Sequence, residues 1–188
     1  MNLSTLSSVK KVLFSLEVFP PKKDTSVNVI YNTLLGLRGL PVDFISVTYG
    51  AGGSQTQKSK TCEIASLIRS NYHIEPVSHL TCVGATKADI AAALDALQEN
   101  GVENILALRG DLTPQMQLTE DFQHAVDLIR FIKEYAPSMN LLGACYPEGH
   151  PECDTLEEDI LHLKEKVDCG VGHLITQLFF DNSCFYTF

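Results

Sequence analysis

Four stretches of this sequence hold residue types that could carry chemistry. The first is FSLEVFPPK, Phe14 to Lys22, in which Phe14, Leu16 and Val18 alternate with Ser15 and Glu17. On a strand, that alternation puts the apolar set on one face and the carboxylate on the other. A carboxylate aimed into a protein interior needs a partner or a task, because burying an ionisable group alone is costly. Two roles fit Glu17: a structural ion pair with Arg109, or a general acid whose pKa is raised by apolar surroundings and a nearby carboxylate. The second stretch, FISVTYGAGGS, runs from Phe44 to Ser54 and is a strand that enters a glycine-rich turn. A dinucleotide fingerprint is excluded by spacing, since Gln55 stands where its third glycine would be and no acidic residue closes a second strand. The turn is either an ordinary strand-to-helix connection or one whose amides approach a flat ligand, with Thr48 and Tyr49 supplying hydroxyls.

The third stretch, NILALRGDL, ends an apolar strand in Arg109, Gly110 and Asp111. It reads as a local salt bridge and turn or, preferably, as a charged pair facing a ligand. The fourth, ACYPEGHPE, runs from Ala144 to Glu152 and precedes Asp159 and Lys166 on similar faces of the next helix. By themselves those two read as solvated helix charges. His150 with Glu148, Glu152 and Cys153 lacks the fixed ligand spacing of zinc or di-metal sites, so no metal is expected.

Positioning these groups falls to a recurring unit. Six short β-rich runs alternate with segments of helical period, the pattern of parallel strands joined by helices. The runs are Val12 to Phe19, Phe44 to Tyr49, Pro76 to Cys82, Asn104 to Asp111, Leu141 to Tyr146 and His173 to Asp181. Helices are predicted from Val27 to Leu37, from Lys58 to Ser70 and from Phe122 to Tyr135. Another starts at an N-cap of Thr86 with Asp89 and stops at Gly101, and a last one starts at a capping box of Thr155 and Glu158 and stops at Gly170. Strands of an open doubly wound sheet should be apolar on both faces, whereas a barrel turns alternate residues into a lumen whose upper layer is the reactive end. Ser15 and Glu17, Ser46 and Thr48, His79 and Thr81, Arg109 and Asp111, and Gln177 and Asp181 set polar groups at alternate positions near strand ends. The expected fold is therefore α/β, of the (β/α)8 TIM-barrel class, in a single domain over 1–188.

Composition narrows the partners. The 188 residues are 45% hydrophobic and 20% charged, enough apolar material for one sizeable core. A net charge of −9 without a long basic run disfavours nucleic acid. No run is long enough to cross a bilayer and the first residues lack a secretory leader pattern, so a cytoplasmic protein is expected. The six cysteines form no C-x-x-C pair and are expected to be reduced and structural.

Taken together and in order, FSLEVFPPK, ISVTYGAGGS, SHLTC, LALRGDL, YPEGHPE, KVDCG and ITQLFFD resemble methylenetetrahydrofolate reductases from about Phe14 to Phe188. The resemblance implies a barrel that carries FAD and reduces 5,10-methylenetetrahydrofolate to 5-methyltetrahydrofolate with NADH or NADPH, in one-carbon and methionine metabolism. It implies that Glu17 is the general acid that helps open the folate's five-membered ring. It makes Asp111 the carboxylate beside flavin and folate, and Gln177 the glutamine that holds the pterin. Thr48, Tyr49, Ala51, His79, Arg109, Gly110, Asp111, Ala125, Tyr146, His150, Asp159 and Lys166 fall where the family contacts FAD. His162 stands where the best-known members have asparagine and Glu165 where they have arginine, which weakens electrostatic help for the pyrophosphate. The chain is expected to end inside the helix after its sixth strand, whereas a closed barrel typically takes about 250 residues. Strands seven and eight are then missing. An inactive truncated fragment is one alternative, and another FAD-binding barrel such as a proline dehydrogenase relative is a second. Self-association into a homo-oligomer is left open.

Overall fold

A computed structural model describes residues 3–21, 28–49, 55–114 and 117–188, the side chains of 28 and 55–59 excepted. Six parallel strands follow in chain order: β1 (Ser15–Val18), β2 (Phe44–Val47), β3 (Glu75–Thr81), β4 (Asn104–Leu108), β5 (Asn140–Cys145) and β6 (His173–Thr176). Each pairs in parallel with the next, giving the order β1-β2-β3-β4-β5-β6. A doubly wound sheet would reverse its order at a switch point. Unbroken order is instead the wall of a barrel, and these six strands form a half-barrel.

The helices are α1 (Leu3–Val9), α2 (Asn28–Gly36), α3 (Gln55–Tyr72), α4 (Lys87–Glu99), α5 (Ala125–Tyr135), α6 (Leu156–Asp168) and α7 (Asn182–Thr187). One set of alternate strand residues packs against them. Ile45, Val47, Leu80, Ile105 and Leu141 meet Ile64, Ile68, Ile90, Leu94, Leu128 and Ile129 in the main core. Each such buried side chain contributes roughly 1.5–3 kcal/mol. All six cysteines are free thiols, and burial pushes Cys82 up to about 12, which keeps it an unreactive core residue.

The opposite set lines the lumen. The register carries Glu17 beside Ser46, Ser46 beside Val77, Val77 beside Asn104 and Asn104 beside Asn140. Leu3 and Leu6 of α1 close the N-terminal end of this lumen against Val77, Leu106 and Leu142. That helix is not legible in LSTLSSV, whose serines and threonine favour caps over helix interiors; its tertiary contacts hold it. The Leu3 amide donates to Asn104 Oδ1 at 3.0 Å, and Asn140 Nδ2 donates to the same oxygen at 2.9 Å. Asn104 Nδ2 in turn donates to Glu75 Oε1 at 3.0 Å and to the Pro76 carbonyl at 3.1 Å. Asn104→Ala removes a fully buried hub and strands several of these partners, each costing about 1–3 kcal/mol. Chemical denaturation is expected to show a loss of about 3 kcal/mol or more; a loss below about 1 kcal/mol would mean that water replaces the amide.

Several boundaries differ from the sequence expectation. The strands stop one to five residues early, most where polar ends leave the ladder for the C-terminal rim. At Thr86 the capping box is complete, with Asp89 accepting from the Thr86 amide. At Thr155 only half forms: its hydroxyl accepts from the Glu158 amide, while the Glu158 carboxylate takes the Asp154 amide instead. Gly170 ends α6 at φ +104°, as expected of a helix stop. The segment Phe122 to His124 precedes α5 rather than belonging to it, since Asp127 holds the Gln123 and His124 amides as a cap. The stub after β6 is helical, as expected, and forms α7, which Asp181 caps through the Ser183 amide.

Candidate active site

At the C-terminal end of the strands the lumen holds a cavity of about 570 Å3, whose polar wall includes Ser15, Glu17, Ser46, His79, Tyr146 and Gln177 above Leu106 and Ile175. Glu17 Oε2 accepts from Ser46 Oγ at 3.2 Å and lies 3.4 Å from His79 Nε2. The Glu17 side chain is 45% exposed, but those of Ser46 and His79 are buried. Burial lowers the His79 pKa to about 4, so the imidazole is neutral and its approach to Glu17 is not an ion pair. Nor is the contact aligned as a hydrogen bond, which leaves Nε2 a buried nitrogen without a partner.

The His79 shift has a stability consequence. Its folded pKa of about 4 lies below the ordinary 6.5, so on acidification the unfolded chain takes up the proton first. The contribution is present above pH 6.5 and falls as the pH drops from 6.5 toward 4. Between about pH 7 and about pH 5 this costs about 2 kcal/mol. Denaturant titrations should show that loss in the wild type and a smaller one in His79→Gln; equal losses would mean that His79 is hydrated in the folded state.

The ion pair between Glu17 and Arg109 does not form. Leu108 faces the lumen, so strand alternation turns Arg109 to the other side, and it does not belong to the lumen set in which the sequence placed it with Asp111. Arg109 instead donates from both terminal nitrogens to Glu152, each at 2.6 Å. The chain then reverses at Gly110, φ +91°, where an added Cβ would sit 2.6 Å from Val83 Cγ1. Only glycine fits that turn. Asp111 follows it, exposed, near Arg109 and Tyr146.

Asp159 and Lys166 are not solvated helix charges. Asp159 is buried and accepts from the His150 amide at 3.0 Å, while Lys166 Nζ donates to the Ala144 carbonyl at 3.1 Å. Burial pushes the Lys166 ammonium down, with Asp159 opposing that shift. Tyr146 and His150 meet edge to face at 4.7 Å, and His150 Nδ1 accepts from the Glu152 amide. Arg109, Glu152, His150 and Asp159 thus make one continuous chain along the rim. Glu152 was visible in the sequence only as a weak metal candidate; its role as the partner of Arg109 has no local signal.

The remaining positions separate. Gln177 lines the lumen with Glu17, and its backbone N–H donates to the Cys145 carbonyl. Thr48 falls on the lumen side by alternation, but the Tyr49 hydroxyl is buried without a partner on the helix side. There it borders a second cavity of about 610 Å3 between α3 and α4. The two hydroxyls therefore do not face one ligand surface. Ala125 is the first residue of α5, and Ala51 lies outside the described residues. Glu165 is paired with Arg130 across α5 and α6, which gives this departure a structural partner. Among the described residues no cluster of His, Cys, Asp or Glu could hold a metal, and no helix is long and apolar enough to cross a membrane.

A singly wound wall of parallel strands, with polar side chains gathered on the lumen at the strand C-termini, defines the ligand end of a (β/α) barrel. Residues 2–188 match the family model described as methylenetetrahydrofolate reductase, and the chain belongs to that family. Methylenetetrahydrofolate reductase 1 of Schizosaccharomyces pombe is 40% identical over 178 residues, 92% of this chain and 29% of the relative. The 5,10-methylenetetrahydrofolate reductase of Salmonella typhimurium is 35% identical over 188 residues, 100% of this chain and 62% of the relative. The chain thus spans less than two thirds of the length of either relative. Among solved structures, a Clostridium thermocellum protein described as binding two copies of 5-methyl-5,6,7,8-tetrahydrofolic acid superposes with a TM-score of 0.61 at 14% identity, covering 93% of this chain and 56% of that one. A 2,3-dimethylmalate lyase superposes at 0.63 and 10% identity, covering 93% and 62%. At such identities the likeness is one of fold.

Proposed function

We propose that this chain carries the proton-donating and folate-facing part of an enzyme that reduces 5,10-methylenetetrahydrofolate to 5-methyltetrahydrofolate with NADH or NADPH, in cytoplasmic one-carbon and methionine metabolism. The observation that carries the reading is that Glu17 and Gln177 line one lumen cavity in a chain of the reductase family. Glu17 donates its proton to a ring nitrogen of the folate; the carbon–nitrogen bond breaks with its electron pair to that nitrogen, and an iminium remains. Asp111 offsets the cation's charge, and Gln177 orients the pterin. FAD, when bound, supplies the hydride that completes the reduction.

The residues present suit such a cofactor. The His79 Nε2 is a buried polar atom without a partner on the lumen wall, and the rim offers Arg109, Lys166 and the Tyr146 ring. Thr48, Gly110, Asp111, His150 and Asp159 complete the proposed FAD contacts, with Ala51 and Ala125 added by the family resemblance alone; no metal is required. Purification, with flavin in the medium, of the chain extended to the length of its relatives tests the reading: a yellow protein that oxidises reduced nicotinamide and then reduces methylenetetrahydrofolate is expected. A folded, colourless protein that takes up no flavin would overturn it.

A further inference from the structure

Two carboxylates compete for Arg109 at the rim. Asp111 follows it across Gly110 and is near enough to act on the guanidinium by charge, yet no hydrogen bond or ion pair joins Asp111 to any described residue. Glu152, 43 positions away, instead takes both terminal nitrogens of Arg109 at 2.6 Å. A bidentate fork of this kind is the strong form of such a pair. Arg109 also holds the Glu152 carboxyl below the usual carboxylate range, so both partners are charged at neutral pH. The Arg109 Nε donates to the Gly110 carbonyl at 3.2 Å. Of the guanidinium's five N–H groups these bonds use three, and the other two stay open to a ligand, as the proposed flavin contact requires. Both ends of the pair are fixed. The Glu152 N–H donates to His150 Nδ1 at 3.1 Å and the His150 N–H to buried Asp159 at 3.0 Å, which ties this connection to α6. On the other side, the Arg109 carbonyl accepts from the Val83 N–H at 2.7 Å.

We propose that Glu152 is a positioning residue that acts through Arg109: by holding the guanidinium across the rim, it keeps this cation from pairing with Asp111 and leaves the Asp111 charge to the folate. The folate in that statement rests on the proposed reductase function. A carboxylate offsets a developing cation only while its own charge is uncompensated. Asp111 is near Tyr146, which lines the lumen cavity, so its charge stands at the cavity mouth. Arginine and aspartate on either side of one glycine need almost no loop closure to meet, and a guanidinium deprived of one carboxylate seeks another. Glu152 therefore decides between two pairings of the same cation. Its own charge is spent on Arg109, and the charge beside the cavity is kept free.

A crystal structure of Glu152→Gln, in the chain extended to the length of its relatives, reads the pairing without any activity. Arg109 is expected to turn to Asp111; a guanidinium that stays at residue 152 or points into solvent overturns the proposal. Half-reaction kinetics on the same extended chain read the consequence. Glu152→Gln is expected to slow flavin reduction and folate reduction at least about 10-fold, part of the roughly 10²- to 10³-fold that one group aimed at developing charge supplies. Glu152→Asp, which keeps the charge, should restore most of that loss. In an Asp111→Asn background, Glu152→Gln should cost nothing further, because the carboxylate that Arg109 would neutralise is already gone. Losses that add to those of Asp111→Asn, or loss of bound flavin, would make Glu152 a support of the cofactor site and overturn the inference. If the wild type reduces no methylenetetrahydrofolate, the proposed function fails, and the crystal structure still decides the pairing.

Discussion

In the chain extended to the length of its relatives, Glu17→Gln is expected to lower methylenetetrahydrofolate reduction by about 10²- to 10⁴-fold, the usual contribution of a general acid, while flavin reduction by NADH or NADPH stays nearly unchanged. Only the folate half-reaction consumes the proton, and glutamine keeps the size of the side chain while losing the acid. The fold should tolerate the change, because Glu17 is half exposed on an edge strand and its two contacts are to Ser46 and a neutral His79. Stopped-flow measurement of the two half-reactions separates the outcomes. A comparable fall in both would assign Glu17 a structural role. Asp111→Asn gives the contrast: its carboxylate acts by charge on both steps, so both should slow, and unchanged rates would remove it from the site.

The polypeptide of these 188 residues, produced by itself, is expected to self-associate and to turn over no folate. Among the described residues β1 pairs only with β2 and β6 only with β5, so each presents an unpaired row of backbone donors and acceptors. Apolar side chains lie beside both edges: Phe19 is 67% exposed, Leu178 69% and Phe180 92%. Phe179 and Phe185 stack on each other, yet α7 buries none of its residues. Open β edges flanked by exposed aromatics are where chains add to one another. The lumen also stays open along one side, so water reaches Glu17 and Asp111 and weakens charge stabilisation there. Size-exclusion chromatography with light scattering should show mass rising with concentration. Leu178→Lys with Phe180→Lys should reduce it, since charges on an edge oppose pairing. A monodisperse, cooperatively melting monomer that reduces methylenetetrahydrofolate would contradict both halves of this expectation.

Much of the architecture was legible without coordinates, and for a local reason. The alternation in FSLEVFPPK, the cap at Thr86 and the stop at Gly170 depend on residues within a few positions of each other, so their signals survive in the linear chain. The order of the motifs was enough to place the chain in its family, and the lumen position of Glu17, Ser46, His79 and Gln177 followed from strand period alone. Partner choice was not legible, because it is made over long separations. Arg109 meets a residue 43 positions away and not Glu17, since one step of strand alternation turns it from the lumen before Gly110 reverses the chain. Asp159 and Lys166 carry helix-surface spacing, yet Asp159 becomes buried under the β5 to α6 connection and Lys166 half-buried against the Ala144 carbonyl of β5. The plug helix α1 has no strong propensity of its own and exists through Asn104, 101 residues from Leu3. The contact of His79 with Glu17 is likewise a product of sheet register: periodicity says which face a side chain takes, and only the packed strands decide which atoms on that face come within reach.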